Sequence, residues 1–285
     1  MVPLQAPRRK VVLGLILATY ACGRVLQVLF GPVPDTALVA VEVLSAMAFA
    51  LADGVHRYGV RGISLFVIIC LTVGNVVENI GVATGFPFGH YTFLAVMGPR
   101  FLAVPILLGF AYIGMAYVSW TLASLLVGPV SSRLRILTVP FVASLVMLAW
   151  DLAQDPVWST MLRAWIWHDG GSWFGVPLSN YAGWFATIFS ICLLFALYLY
   201  KQAAPPIQAA NPSAVPAILF YALCAGGNIL QLCVHRTAAE VPDGSGRLWR
   251  VQDILSASAL VSVFVMGAFV AMAGIRLMES SSATD

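Results

Sequence analysis

Charge is what this chain has least of. Only 9% of its 285 residues are Asp, Glu, Lys or Arg, against roughly a quarter in a soluble domain. The formal net charge is +3, and no basic block is long enough to grip nucleic acid. Lysine is nearly missing. Lys10 and Lys201 both end apolar runs, so no lysine is available inside a span for a retinal Schiff base. The five cysteines (Cys22, Cys70, Cys192, Cys224 and Cys233) lie in apolar runs without a Cys-x-x-Cys pair. Small buried hydrophobes account for them better than metal ligands or a disulfide framework does. A glycine-rich nucleotide loop and a His-Glu-x-x-His pair are also missing. The expectation is chemistry without cofactor or metal.

What the chain has is hydrocarbon. Hydrophobic residues make up 60% and mean hydropathy is +0.91. A bilayer core admits only helices or a closed barrel, because every backbone polar group must be paired within the protein. A barrel needs segments of about ten residues with alternating polarity. These runs are about twice that long and do not alternate, so they are helices. The predicted fold is an all-α, polytopic transmembrane bundle of about eight spans, one integral membrane domain over 1–285. The spans are 11–30, 36–55, 61–83, 101–127, 134–154, 183–200, 214–235 and 252–276.

With the N-terminus in the cytoplasm, Arg8, Arg9, Lys10, Arg57, Arg61, Arg133, Arg135, Lys201 and Arg276 fall inside. Arg100, Arg163, Arg236, Arg247 and Arg250 fall outside. The positive-inside rule favours that orientation, in an inner (cytoplasmic) cell membrane. Two outer connections, 84–100 and 155–182, are rich in aromatics, Gly and Pro and poor in charge. They are expected to lie at the interface or to fold into the mouth of the bundle. An aromatic belt is the plainer alternative.

Carboxyl groups inside spans are costly and need a reason. Glu42, Glu78, Asp151 and Asp155 all fall towards the outer side. Asp53 is the exception, expected at the cytoplasmic interface beside Arg57. Asn75, Glu78 and Asn79 share one helix face, which suggests a carboxyl held by two amides. Asp151 and Asp155 are four apart on one face, with Pro156 expected to stop the helix. Two acids on one half-buried face suit general acid–base work. Asn180, Asn228 and Gln231 reach a similar depth, with His90 and His168 beside them. The expectation is one polar chamber near the outer leaflet.

Three blocks carry a family likeness. The first runs Glu78-Asn79-Ile80-Gly81-Val82-Ala83-Thr84-Gly85-Phe86-Pro87-Phe88-Gly89-His90-Tyr91. The second is Asp151-Leu152-Ala153-Gln154-Asp155-Pro156. The third runs from Trp165-Ile166-Trp167 to Phe174-Gly175-Val176-Pro177-Leu178-Ser179-Asn180-Tyr181-Ala182-Gly183-Trp184. Together they resemble the carotenoid biosynthesis membrane family, which includes carotenoid 1,2-hydratases and bisanhydrobacterioruberin hydratase. The resemblance covers roughly 60–200. It implies a cofactor-independent hydro-lyase that adds water across the terminal C1–C2 double bond of a linear psi end group.

The implied partners are a linear or monocyclic carotenoid such as lycopene, membrane lipid and other enzymes of the same pathway. Glu78, Asp151 and Asp155 are the expected catalytic acids. Glu42, Asn75, Asn79, His90, Tyr91, Trp165, Trp167, His168, Asn180 and Trp184 are the expected substrate-binding residues. Trp150, Trp158 and Trp173 complete an aromatic set able to steady a cation. An isoprenoid cyclase or isomerase, or a carotenoid-binding or transport protein, is the alternative reading.

Overall fold

The computed structural model describes residues 6–202 and 214–282; the remainder of the chain lies outside the described residues. Seven of the described helices are long and apolar enough to cross a membrane. They are α1 (Ala6–Phe30), α2 (Thr36–Thr84), α3 (Ile106–Val127), α4 (Arg133–Asp155), α5 (Leu178–Lys201), α6 (Val215–Val234) and a final rod. That rod is α7 (Val251–Val261), a π turn (Ser262–Met266) and α8 (Gly267–Ser282). The protein is a multi-pass membrane bundle.

The expected eight crossings are recovered from seven helices because α2 folds back on itself. Its 49 residues would span about 70 Å as one rod, more than twice a hydrocarbon core. At Gly59 the backbone turns to φ 67° and ψ 174°, a conformation open to glycine and strained for other residues. The two arms, 36–58 and 60–84, then pack as a hairpin. Phe49 on the first and Phe66 on the second both lean on Tyr117 of α3, at 6.3 and 5.9 Å between ring centroids. Gly54 faces Ile63 so closely that a β-carbon would clash with it.

α3 is the most enclosed helix, buried from Ala111 to Ala123. It crosses the first arm of α2 where Gly114 meets the Ala46 backbone, the close small-residue approach that drives helix packing in lipid. Leu15, Ile68, Phe141, Leu219 and Phe264 are exposed on the flanks, as lipid contact requires.

Pro156 does not stop α4, as the sequence reading expected. The helix widens into a π turn, Pro156–Met161. Proline has no N–H, so the Leu152 carbonyl one turn back loses its partner. The Trp173 indole N–H donates to that carbonyl instead, at 3.0 Å.

Both aromatic segments fold against one end of the bundle. β1 (Tyr91–Phe93) pairs antiparallel with β4 (Trp165–Trp167), aligning Tyr91 with Trp167 and Phe93 with Trp165. β2 (Arg100–Phe101) and β3 (Val104–Pro105) form a tight second pair. β5 (Glu240–Pro242) and β6 (Leu248–Arg250) form a hairpin whose Gly244 presses on the Trp167 carbonyl.

Candidate active site

Strand alternation builds the roof of the site. Side chains of a strand point to opposite faces in turn. Tyr91, Phe93, Trp165 and Trp167 are therefore buried, while Thr92 and His168 face out. Tyr91 packs on Trp167 at 4.9 Å, and Phe93 meets Trp165 edge-on at 6.1 Å. His90 and His168 lie on the outer side of this roof. His90 bonds Asp169 at 2.9 Å with both side chains well exposed. His168 bonds Thr92 at 2.8 Å.

Beneath the roof sit three buried carboxyl groups. Glu78, on the second arm of α2, accepts from the Tyr91 hydroxyl at 2.5 Å and from the Tyr112 hydroxyl at 2.7 Å. Gly81, one turn on, lets the Tyr91 hydroxyl approach; a β-carbon there would come within 2.8 Å of it. Asp155 accepts from the Asn180 amide at 2.6 Å and from the Trp167 indole N–H at 3.5 Å. Asp151 receives only a long contact from the same Asn180 amide, 3.5 Å. The charges of Glu78 and the two aspartates act on one another. Tyr112 stacks face to face on Trp184 at 4.6 Å, closing one wall in aromatic carbon. Tyr91, Tyr112 and Asn180 thus hold the acids in place.

The two asparagines expected to hold Glu78 do something else. The Asn79 amide donates to the Asn75 carbonyl at 2.8 Å and to the Asn75 side chain at 3.0 Å, and its oxygen accepts from the Ala103 N–H. An asparagine inside a helix readily bonds the carbonyl four residues back. That bond turns Asn79 towards Asn75 and ties α2 to the β2–β3 turn. The acid's real partners, Tyr91 and Tyr112, come from other elements.

The single polar chamber expected from depth divides in two. Glu42 pairs with Arg24 at 3.1 Å. Arg24 also donates to Asn228 at 2.6 Å, and Gln154 donates to the same amide oxygen at 3.0 Å. Gln231 turns away to bond the Gly31 carbonyl at 2.7 Å. Trp158 lines two small cavities of about 20 Å³ each beside this second cluster, and Trp150 lines one of them. Trp173 sits further out, against Phe174. Glu42, Asn228 and Gln231 therefore stand apart from the Glu78–Asp151–Asp155 group.

Asp53 pairs with Arg57, as expected, and is fully enclosed by protein. Arg9, Arg57 (2.5 Å) and the Tyr117 hydroxyl (2.8 Å) surround it. It closes the opposite end of the bundle.

A groove of about 560 Å³ opens between the second arm of α2 and α3. Leu71, Val76, Val104, Ile106 and Phe110 make it apolar, and Tyr112 is among its walls. A β-carbon on Gly74 would come within 3.3 Å of the Tyr112 ring. The tyrosine whose hydroxyl holds Glu78 thus also lines a groove shaped for hydrocarbon.

The family described as carotenoid biosynthesis protein matches residues 36–242, well over half of the chain and all three acids. The chain belongs to that family. Among similar proteins is the bisanhydrobacterioruberin hydratase of Haloarcula japonica, 33% identical over 137 residues. That match takes in 47% of this chain and 44% of the archaeal protein, less than half of either. No solved structure matches. The fold of this carotenoid-family protein is therefore read from its own residues, among them Tyr112 and Tyr181, which sequence reasoning did not single out as site residues.

Proposed function

We propose that the protein is a carotenoid hydratase that adds water across the terminal C1–C2 double bond of a linear psi end group. The observation that carries this reading is the trio Glu78, Asp151 and Asp155, buried among aromatic faces beside an apolar groove. A trisubstituted alkene is a weak base, so its proton must come from a carboxylic acid held against it. The reaction is redox-neutral, and acid, base and water suffice.

The hydrogen bonds suggest a division of labour. An ionised carboxylate only accepts, and a protonated one also donates. Glu78 and Asp155 each accept two bonds from donors. Asp151 has only the long contact from Asn180, which leaves its proton available. In this reading the polyene lies in the groove and its end group passes Tyr112. Asp151 protonates C-2, and a tertiary cation forms at C-1. The faces of Tyr112 and Trp184 and the charge of Glu78 steady it. Water adds to C-1, and Asp155 takes the released proton.

The test is expression in a lycopene-accumulating bacterium with mass analysis of the pigments. A carotenoid heavier by one water, with a tertiary alcohol at its end group, is expected. Unchanged lycopene would overturn the reading, as would a cyclised product of unchanged mass.

A further inference from the structure

Two buried donors beside Asp155 complete no hydrogen bond within the protein. The Tyr181 hydroxyl and the Trp165 indole N–H belong to side chains only 6% and 8% exposed. Among the described residues neither has a hydrogen-bond partner. Buried polar groups are normally paired, and each exception needs an explanation.

Their placement is fixed by neighbours. Trp165 and Trp167 share the inner face of β4, and Trp167 reaches Asp155. Tyr181 follows Asn180 in the first turn of α5, and Asn180 bonds the same carboxyl. Tyr181 interacts electrostatically with both aspartates. The Trp165 indole N–H is directed at the Asp155 carboxyl without completing a hydrogen bond to it.

The donors define their guest. An indole N–H only donates, so the guest must offer an acceptor. A carboxylate only accepts, so the guest must also give a proton. It must be small, because Phe93 and Trp158 pack on Trp165 at 6.1 and 6.3 Å between ring centroids. An alkene end group meets neither polar demand, and water meets both.

We propose that Tyr181 and Trp165 seat the water that adds to the substrate cation, with Asp155 as its base. This rests on the hydratase reading. A water lone pair forms the C1–O bond while one O–H bond breaks towards Asp155. Asp151 has given one proton to C-2 and Asp155 receives one, so the sum is alkene plus water giving a tertiary alcohol.

The experiment uses membranes carrying the full chain, supplied with lycopene in heavy water. Tyr181→Phe removes one unpartnered oxygen, and Trp165→Phe removes one unpartnered N–H together with part of a ring. Hydration should fall roughly ten- to a hundredfold in each, the scale of a lost hydrogen bond to a charged system. Deuterium should still enter the unhydrated carotenoid, because the cation still forms and collapses by losing a proton. A structural role would lower hydration and exchange together, and that result overturns the assignment. Hydration at the wild-type rate in both variants also overturns it. Wild-type membranes that neither hydrate nor exchange would sink the hydratase reading itself, a failure separable from that of the water seat.

Discussion

At the residue scale, the three acids differ in what holds them: Glu78 has two tyrosine hydroxyls, Asp155 an amide and an indole, and Asp151 one long contact. A carboxyl group inside a span announces itself, because its burial costs about 2.5–3.5 kcal/mol by insertion scales. Glu78, Asp151 and Asp155 stood out for that reason, and they converge. Tyr112 lies in a helix of apolar and aromatic residues, where nothing local distinguishes it from a core ring. Only the packing of α3 on α2 gives its hydroxyl a carboxyl to bond. Glu78→Gln and Asp151→Asn keep size and most hydrogen bonding but remove the titratable proton. Product formation at equal membrane protein level should drop about 10²–10⁴-fold in each, with carotenoid still bound. Near wild-type turnover in both would show that the reacting acid lies elsewhere.

At the element scale, punctuation residues mattered more than hydropathy. Apolar run length found the spans and left a break between 55 and 61, where Gly59 reverses the chain. It could not tell that Pro156 widens α4, because the indole that caps the freed carbonyl comes from Trp173. The period-two alternation Tyr91, Phe93 and Trp165, Trp167 was visible in the sequence. It would have placed His90 and His168 on the outer face.

The β5–β6 hairpin gives this scale its own test. Partial burial pushes the Asp243 carboxyl up. Hydrogen bonds from Ser245, Trp249 and the backbone N–H groups of Arg247 and Ser245 outweigh that and leave it below the ordinary carboxylate value. A folded value below the unfolded one means the stabilisation is present above about pH 4. It is lost as pH falls through the depressed folded value. Protection of the Arg247 amide, corrected for intrinsic exchange, should hold at neutral pH and decline only in acid below the ordinary range. Asp243→Asn should weaken that protection at neutral pH and flatten its acid dependence. Unchanged protection in the variant would show that the hairpin does not depend on this carboxylate.

At the scale of the whole molecule, the bundle has two unlike ends. One carries the strand pairs, the acids and the mouth of the site; the other carries the Gly59 turn and Asp53 between Arg9 and Arg57. The Gly59 end also receives Arg61, Arg133, Arg135 and Lys201, so the nine-to-five basic asymmetry follows the architecture. Lys and Arg near span ends are retained on the cytoplasmic side. The strand-bearing end should therefore face outward. Cys22 and Cys233 are exposed, so both are first replaced by serine. A cysteine at Glu240, exposed on β5, should then react with an impermeant thiol reagent added to intact cells. A cysteine at Ser131, exposed between α3 and α4, should react only after the cells are opened. The reverse pattern would put the acids on the cytoplasmic side. The lateral groove would still admit a carotenoid from the bilayer, but the end group would meet cytoplasmic water.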